Sequence, residues 1–186
     1  MKVIELKLKE GGELEPAIAL IDDPAIESTF LTFASEKVEF RTDERHMITG
    51  AVLIPNKLMY RSNFGGGGEC NVFFSAETIE HIAHKWLADG RMKDFNLSHK
   101  DGVGCVTIVE SWVKHSNVDK SVSMGFTPHP DGTWFITAYV SDEELWKRIK
   151  QGEFRGFSIE AIFEGVEVED DPLEELTELL YKGLQL

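Results

Sequence analysis

Cysteine is scarce in this chain: Cys70 and Cys105 are the two among 186 residues. Neither has neighbours at zinc-ligand spacing, and so few thiols in so long a chain exclude a disulfide-stapled scaffold. Reduced thiols in a cytosolic setting are the expectation. Long apolar runs are also missing. The longest, such as residues 17–21, fall far short of the ~20 residues that span a bilayer. Basic residues are few beside acidic ones. Lys and Arg number 19 against 33 Asp and Glu, a net charge of −14 with no basic block to offset it. That argues against nucleic acid and anionic membrane as main partners. The opening Met1–Lys7 alternates charged with apolar residues, which reads as a strand rather than a signal peptide.

What is present is enough for one domain with a sizeable core: 42% apolar and 28% charged residues, the balance of a soluble globular protein. Strand patterns dominate. They are expected at residues 2–9, in two pieces within 17–34, and at 37–41, 47–54, 58–61, 94–99, 105–113, 123–127 and 133–140. The four glycines Gly65–Gly68 lack a following lysine or a helix start in register, so they read as a flexible hairpin tip or surface loop rather than a phosphate cradle. A helix is expected over 76–89. Ser75 is its N-cap, Ile79, Ile82, Ala83, Trp86 and Leu87 its apolar stripe, and Gly90 its stop. A second is expected over 142–151, with Ser141 and Glu144 as a capping box. Asp171-Pro172 opens a third, with leucines 173, 176, 179 and 180 along one side. That last helix packs on the domain or makes a homodimer contact. Strands are not followed regularly by helices, so a doubly wound sheet is disfavoured. The expected architecture is α+β and strand-dominated. It is a mostly antiparallel closed β-barrel with a few surrounding helices, residues 1–170 forming one domain and 171–186 the terminal helix.

The stretch Phe154–Phe163 stands out. Phe157, Ile159 and Ala161 alternate with Gly156, Ser158, Glu160 and Ile162, and the strand is expected to run on to about residue 168. Strand periodicity puts Ser158 and Glu160 on one face with Gly156 leaving room beside the hydroxyl. Two readings are open. Ser158 is a hydrogen-bonded serine in a sheet wall, or it is a nucleophile that needs a histidine from elsewhere. The histidines are His46, His81, His84, His99, His115 and His129. His81 and His84 share a helix, three apart, with no carboxylate or third histidine placed to complete a metal site. A metal-dependent hydrolase using them with His99 is a remote reading. His99 closes a strand just before a tight Asp101-Gly102 turn, where a sheet edge can hold an imidazole.

The ordered set Ile21–Ile26, Ile48–Asn56, Val72–Ser75, Asn96–His99, Val109–Trp112, Gly132–Trp134 and Gly156–Glu160 resembles the prohead serine proteases of tailed bacteriophages, of the XkdF kind. These are in turn similar to the herpesvirus assemblins. The resemblance implies a closed β-barrel ringed by helices. It also implies a serine endopeptidase that cleaves scaffold and major capsid precursor proteins, often itself too, inside a procapsid in the host bacterial cytoplasm. No cofactor is implied.

Carried over by residue, the resemblance implies Ser158 as nucleophile and His99 as general base. Assemblins use a second histidine after the serine, and none follows Ser158 here. A carboxylate would serve instead by fixing the imidazole tautomer and stabilising the imidazolium. Glu160 and Glu110 are the candidates, Glu160 ahead. If residues 94–114 form one simple hairpin, His99 pairs with Val106 and Glu110 lies about 13 Å along the sheet. Arg155 and the loop 115–132 are candidates to supply the oxyanion donors. The alternative function is a catalytically silent shell-assembly protein that keeps the protease fold as a scaffold.

Overall fold

The computed structural model describes residues 2–8, 18–21, 41–42, 45–98, 101–126, 129–154, 156–159 and 163–168, with backbone alone for Arg41, Thr42 and Asp101. In chain order the strands are β1 (Lys2–Leu8), β2 (Ile18–Ile21), β3 (Arg41–Thr42), β4 (Met47–Leu53), β5 (Met59–Arg61), β6 (Cys70–Phe73), β7 (Phe95–Leu97), β8 (Asp101–Val103), β9 (Val106–Val113), β10 (Trp134–Val140), β11 (Gly156–Ile159) and β12 (Phe163–Glu167). The helices are α1 (Ala76–Ala88), α2 (Lys120–Ser123) and α3 (Glu143–Lys150). The expected 171–186 helix lies outside the described residues.

The strands form three four-stranded sheets, ordered β12-β1-β6-β5, β3-β4-β10-β9 and β11-β2-β7-β8. None closes on itself, so the expected closed barrel is overturned. The chain changes sheet too often for one continuous ladder. It leaves the third sheet for the second across Gly104-Cys105, and returns through α3. Pairing is mostly antiparallel, as expected, but β1 runs parallel to β6 and β2 parallel to β7. Those two pairs need long crossovers, and a helix or a second sheet fills each return path.

One core joins the sheets. Trp86 of α1 and Trp134 of β10 are both fully buried, their rings 6.0 Å apart. The α1 stripe packs as the 3.6-residue period requires, with Ile79, Ile82, Ala83 and Trp86 inward. Ser75 Oγ accepts from the Thr78 amide, and Gly90 follows the helix at φ 71°. For α3 the expected capping residue is corrected. Asp142 accepts from the Leu145 amide, while Ser141 Oγ donates to the Cys105 carbonyl. Two acceptors competed for one helix start, and the carboxylate won. Residues 123–126 do not form the expected strand, and Thr127 lies outside the described residues. Lys120–Ser123 is instead a single helical turn, capped by Asp119.

The four-glycine stretch connects antiparallel β5 and β6, as a hairpin tip should. Phe64 anchors it. A Cβ on Gly165 of β12 would come within 2.6 Å of both Phe64 Cε1 and Ile4 Cγ2, so the ring sits where only glycine leaves room.

The strand expected over 94–99 is shorter, and its partner differs. Phe95 pairs with Val103, Asn96 with Gly102 and Leu97 with Asp101. The long strand Val106–Val113 pairs with β10 in another sheet. The simple 94–114 hairpin therefore does not form. The Asp-Gly pair lies inside β8 rather than at the turn.

Candidate active site

Ser158 lies at the centre of β11, opposite Ala19 of β2 in an antiparallel ladder. Ala19 is in turn opposite Asn96 of β7, and Asn96 opposite Gly102 of β8. Side chains of residues in one row of a sheet point to one face. Ser158, Ala19, Asn96 and Gly102 therefore share a face. Phe157 and Phe95 share the other, their ring centroids 6.4 Å apart. The expected alternation along β11 is present, but all four of its residues are buried. Ser158 is 1% exposed, Ala19 0% and Asn96 6%, whereas Gly102 is exposed. The row thus runs from a buried hydroxyl to an open edge over the two smallest side chains.

β7 carries the chain toward His99. The Ser98 amide donates to the Leu20 carbonyl at 2.9 Å, which prolongs the β2–β7 ladder. Ser98 then takes φ 47° and turns the backbone. His99 lies two positions past Leu97, and like Glu160 and Arg155 it falls outside the described residues. The sheet that bears Ser158 is thus the sheet whose strand leads into His99.

Glu110 is in a different sheet. It stands opposite Thr137 on β9–β10, and Thr137 stands opposite Thr49 on β4. Thr137 Oγ1 donates to Glu110 Oε2 at 2.8 Å, and Lys120 Nζ pairs with the same oxygen at 2.8 Å. Thr137 has one proton to give, so Thr49 Oγ1, 3.1 Å away, donates to it in turn. The Lys120 ammonium first, then the Thr137 hydroxyl, hold the Glu110 carboxyl below its ordinary range. Lys120 also lies over the Trp112 ring, 3.7 Å from its centroid. Glu110 is therefore engaged in a complete hydrogen-bonded row.

Phe126 and His129 of the loop 115–132 pack on that second sheet. They flank Phe135, which stacks on Trp112 at 5.3 Å. Lys114, 2% exposed, donates through Nζ to the His129 carbonyl and ties the loop down. His81 and His84 sit on the exposed side of α1, and among the described residues no three His, Cys, Asp or Glu groups gather as a metal site would need. No helix among them is long and apolar enough to cross a membrane.

Sequence reasoning singled out Ser158 but not its row partner Asn96. A signal was present. Asn96 is a polar residue between Phe95 and Leu97, the mark of a strand with a second face. What the alternation does not tell is whether that face meets water or protein.

A family model described as "Putative phage serine protease XkdF" matches residues 36–167, a span that includes His99, Glu110, Ser158 and Glu160. The chain belongs to this family. Two proteins of Bacillus subtilis strain 168 are similar to it. "Phage-like element PBSX protein XkdF" is 37% identical over 87 residues, 47% of this chain and 29% of that protein. "Uncharacterized protein YqbD" is 26% identical over 166 residues, 84% of this chain and 47% of that protein. The chain thus spans less than half the length of these curated relatives. No solved structure matches it.

Proposed function

We propose that this protein is a serine endopeptidase in which Ser158 attacks the scissile carbonyl and His99 is the general base. The observation that carries this reading is the position of Ser158 within the family-matched span. It is a serine held on a central β11 position, in the sheet whose β7 strand leads into His99. The imidazole takes the hydroxyl proton as the Oγ–C bond forms, then returns it to the departing amine. Water releases the acyl group by the same steps in reverse. Glu160 is the proposed third member. Glu110 is the alternative, disfavoured by its engagement with Lys120 and Thr137. The proposed substrates are phage scaffold and major capsid precursor proteins, and the chain itself, cleaved inside a procapsid.

The 1% exposure of Ser158 favours one competing reading, a silent protease-fold protein that serves shell assembly. Co-expression with the cognate capsid and scaffold proteins separates the two. Precursor mass is read for wild type, Ser158→Ala and His99→Ala. Cleavage by wild type alone is expected, with a loss of about 10⁴-fold or more in each variant. Cleavage that survives Ser158→Ala removes the nucleophile assignment. Shells that assemble uncleaved in every sample favour the silent reading.

A further inference from the structure

Acidic residues outnumber basic ones in this chain, 33 to 19, so a guanidinium has many carboxylates to find. Arg91 pairs with Asp89 and Asp94, and Arg148 pairs with Glu153. Arg61 differs. It is half-buried at the end of β5, and among the described residues no carboxylate pairs with it. Its hydrogen bond there runs from Nη1 to the carbonyl of its own neighbour Tyr60, at 3.3 Å. Burial lowers its pKa from the ordinary arginine value, opposed only by the nearby Cys70. A guanidinium carries five N–H donors in a planar fork, and one bond to a carbonyl leaves most of them unused. Charged groups drawn out of water are normally paired, so this one points to a partner from outside.

Register fixes what surrounds Arg61. It stands opposite Cys70 of β6, and Cys70 stands opposite Lys2 of β1, so the three share one face of the first sheet. Lys2 pairs with Glu167, and both side chains are exposed, which makes the pair weak. Tyr60 lies on the other face and is 52% exposed. Glu69 is engaged on that side, where it hydrogen-bonds the Tyr60 hydroxyl and raises its pKa. β5 is the last strand of its sheet, and among the described residues its outer edge meets no other strand. Such an edge is a template for one more strand. Successive side chains of an added strand alternate between the two faces. A carboxylate on one residue falls on the Arg61 face, and the next residue falls on the Tyr60 face. Both groups are reached from solvent at the sheet edge, so the segment needs no cavity. A free small carboxylate would use Arg61 alone and leave the exposed ring and the open edge without a partner.

We infer that Arg61 anchors an extended acidic peptide segment, which adds to the outer edge of β5 with a carboxylate on the guanidinium and its next side chain against Tyr60. The fork takes both carboxylate oxygens, a geometry that a lysine ammonium does not reproduce. Lys2, two strands away on the same face, adds a second positive charge about 10 Å along the row. The net charge of −14 opposes loose attachment of acidic segments elsewhere on the surface, so this edge selects what binds. The segment is held here, not cut, and the inference stands apart from the Ser158 reading.

Binding to the full chain is measured by anisotropy with a fluorescein-labelled peptide, Thr-Ser-Val-Glu-Phe-Thr-Ser, and with its twin carrying Gln in place of Glu. Wild type is expected to bind the Glu peptide about 10-fold or more tightly than the twin, as a charged hydrogen-bonded pair provides. Arg61→Gln is expected to lose that preference and Arg61→Lys to keep part of it. Tyr60→Ala is expected to weaken both peptides alike, by about 2–10-fold. In wild type, where folding of a variant is not at issue, the ¹⁵N-labelled Arg61 Nε–H is followed by NMR as the Glu peptide is added. A shifted Nε–H together with slower hydrogen exchange along β5 supports the assignment. An unmoved Nε–H, equal affinity for the two peptides, or no binding at millimolar peptide overturns it. Sodium acetate that shifts Nε–H at the same concentration as the peptide overturns it in favour of a small-carboxylate site.

Discussion

Two rows of this molecule place polar side chains across buried β-sheet, and they are built in opposite ways. In Glu110–Thr137–Thr49 each group touches the next: hydroxyl to hydroxyl, hydroxyl to carboxylate, carboxylate to the Lys120 ammonium. In Ser158–Ala19–Asn96–Gly102 the polar residues alternate with the smallest available side chains. A contiguous row consumes its own hydrogen-bonding capacity and leaves no room for a visitor. The spaced row sets only the Ala19 methyl beside the Ser158 hydroxyl. Both satisfy the rule that buried polar groups need partners, but in the spaced row the polar residues do not stand next to one another.

The contrast can be broken by substitution. Ala19→Val adds two methyl groups beside Ser158 without a polar change, in a strand that suits β-branched residues. It is expected to cut precursor cleavage about 100-fold, since displacing bound substrate by about 1 Å costs that much. Stability is expected to fall by about 1–3 kcal/mol from overpacking. Urea melts beside cleavage rates give both numbers, and unchanged cleavage would show that substrate does not sit over residue 19. Thr137→Val should behave in reverse. It removes the hydroxyl that links Thr49 to Glu110, and the expected cost is about 1–2 kcal/mol in the same melts. Cleavage per folded molecule should stay at the wild-type rate. A selective loss of cleavage would mean that the second row feeds the chemistry.

The smallest effect belongs to the Glu110 carboxyl. Its hydrogen bonds from Lys120 and Thr137 lower its pKa in the folded state from an ordinary 4.5. A lowered folded pKa contributes stability that is present above the unfolded value and is lost as pH falls through the folded one. Half of this side chain is exposed, so the contribution is screened to a few tenths of a kcal/mol. The stability gap between wild type and Glu110→Gln should therefore be seen at neutral pH and should close at acid pH below the carboxylate range. A gap that widened on acidification would contradict the pairing with Lys120.

The helix α1 was legible residue by residue, because its cap, stripe and terminal glycine act within a few positions of one another. The α3 boundaries were nearly as clear, and the error there was confined to which of two adjacent oxygens caps the first turn. The 94–113 region was misread for a different reason. Asp101-Gly102 is a strong local turn signal, yet Asn96 and Gly102 pair across β7 and β8, and Val106–Val113 finds a better partner in β10. Strand pairing is settled by contacts between residues far apart in sequence, which no local pattern encodes.

By itself the sequence determined the strand-rich composition, the places of two helices, the glycine hairpin tip and the alternation around Ser158. Each of these follows from side-chain period or backbone conformation within a short window. Tertiary structure alone decided that the strands divide into three open sheets, that Glu110 is held by Lys120 and Thr137 in one sheet, and that Ala19 and Asn96 lie across from Ser158 in another. Register is a long-range property. A slip of one residue along β2 or β7 would turn Ala19 or Asn96 to the opposite face, and the packing of Phe95, Phe157 and their neighbours on the other face favours the register that sets both in the row of Ser158.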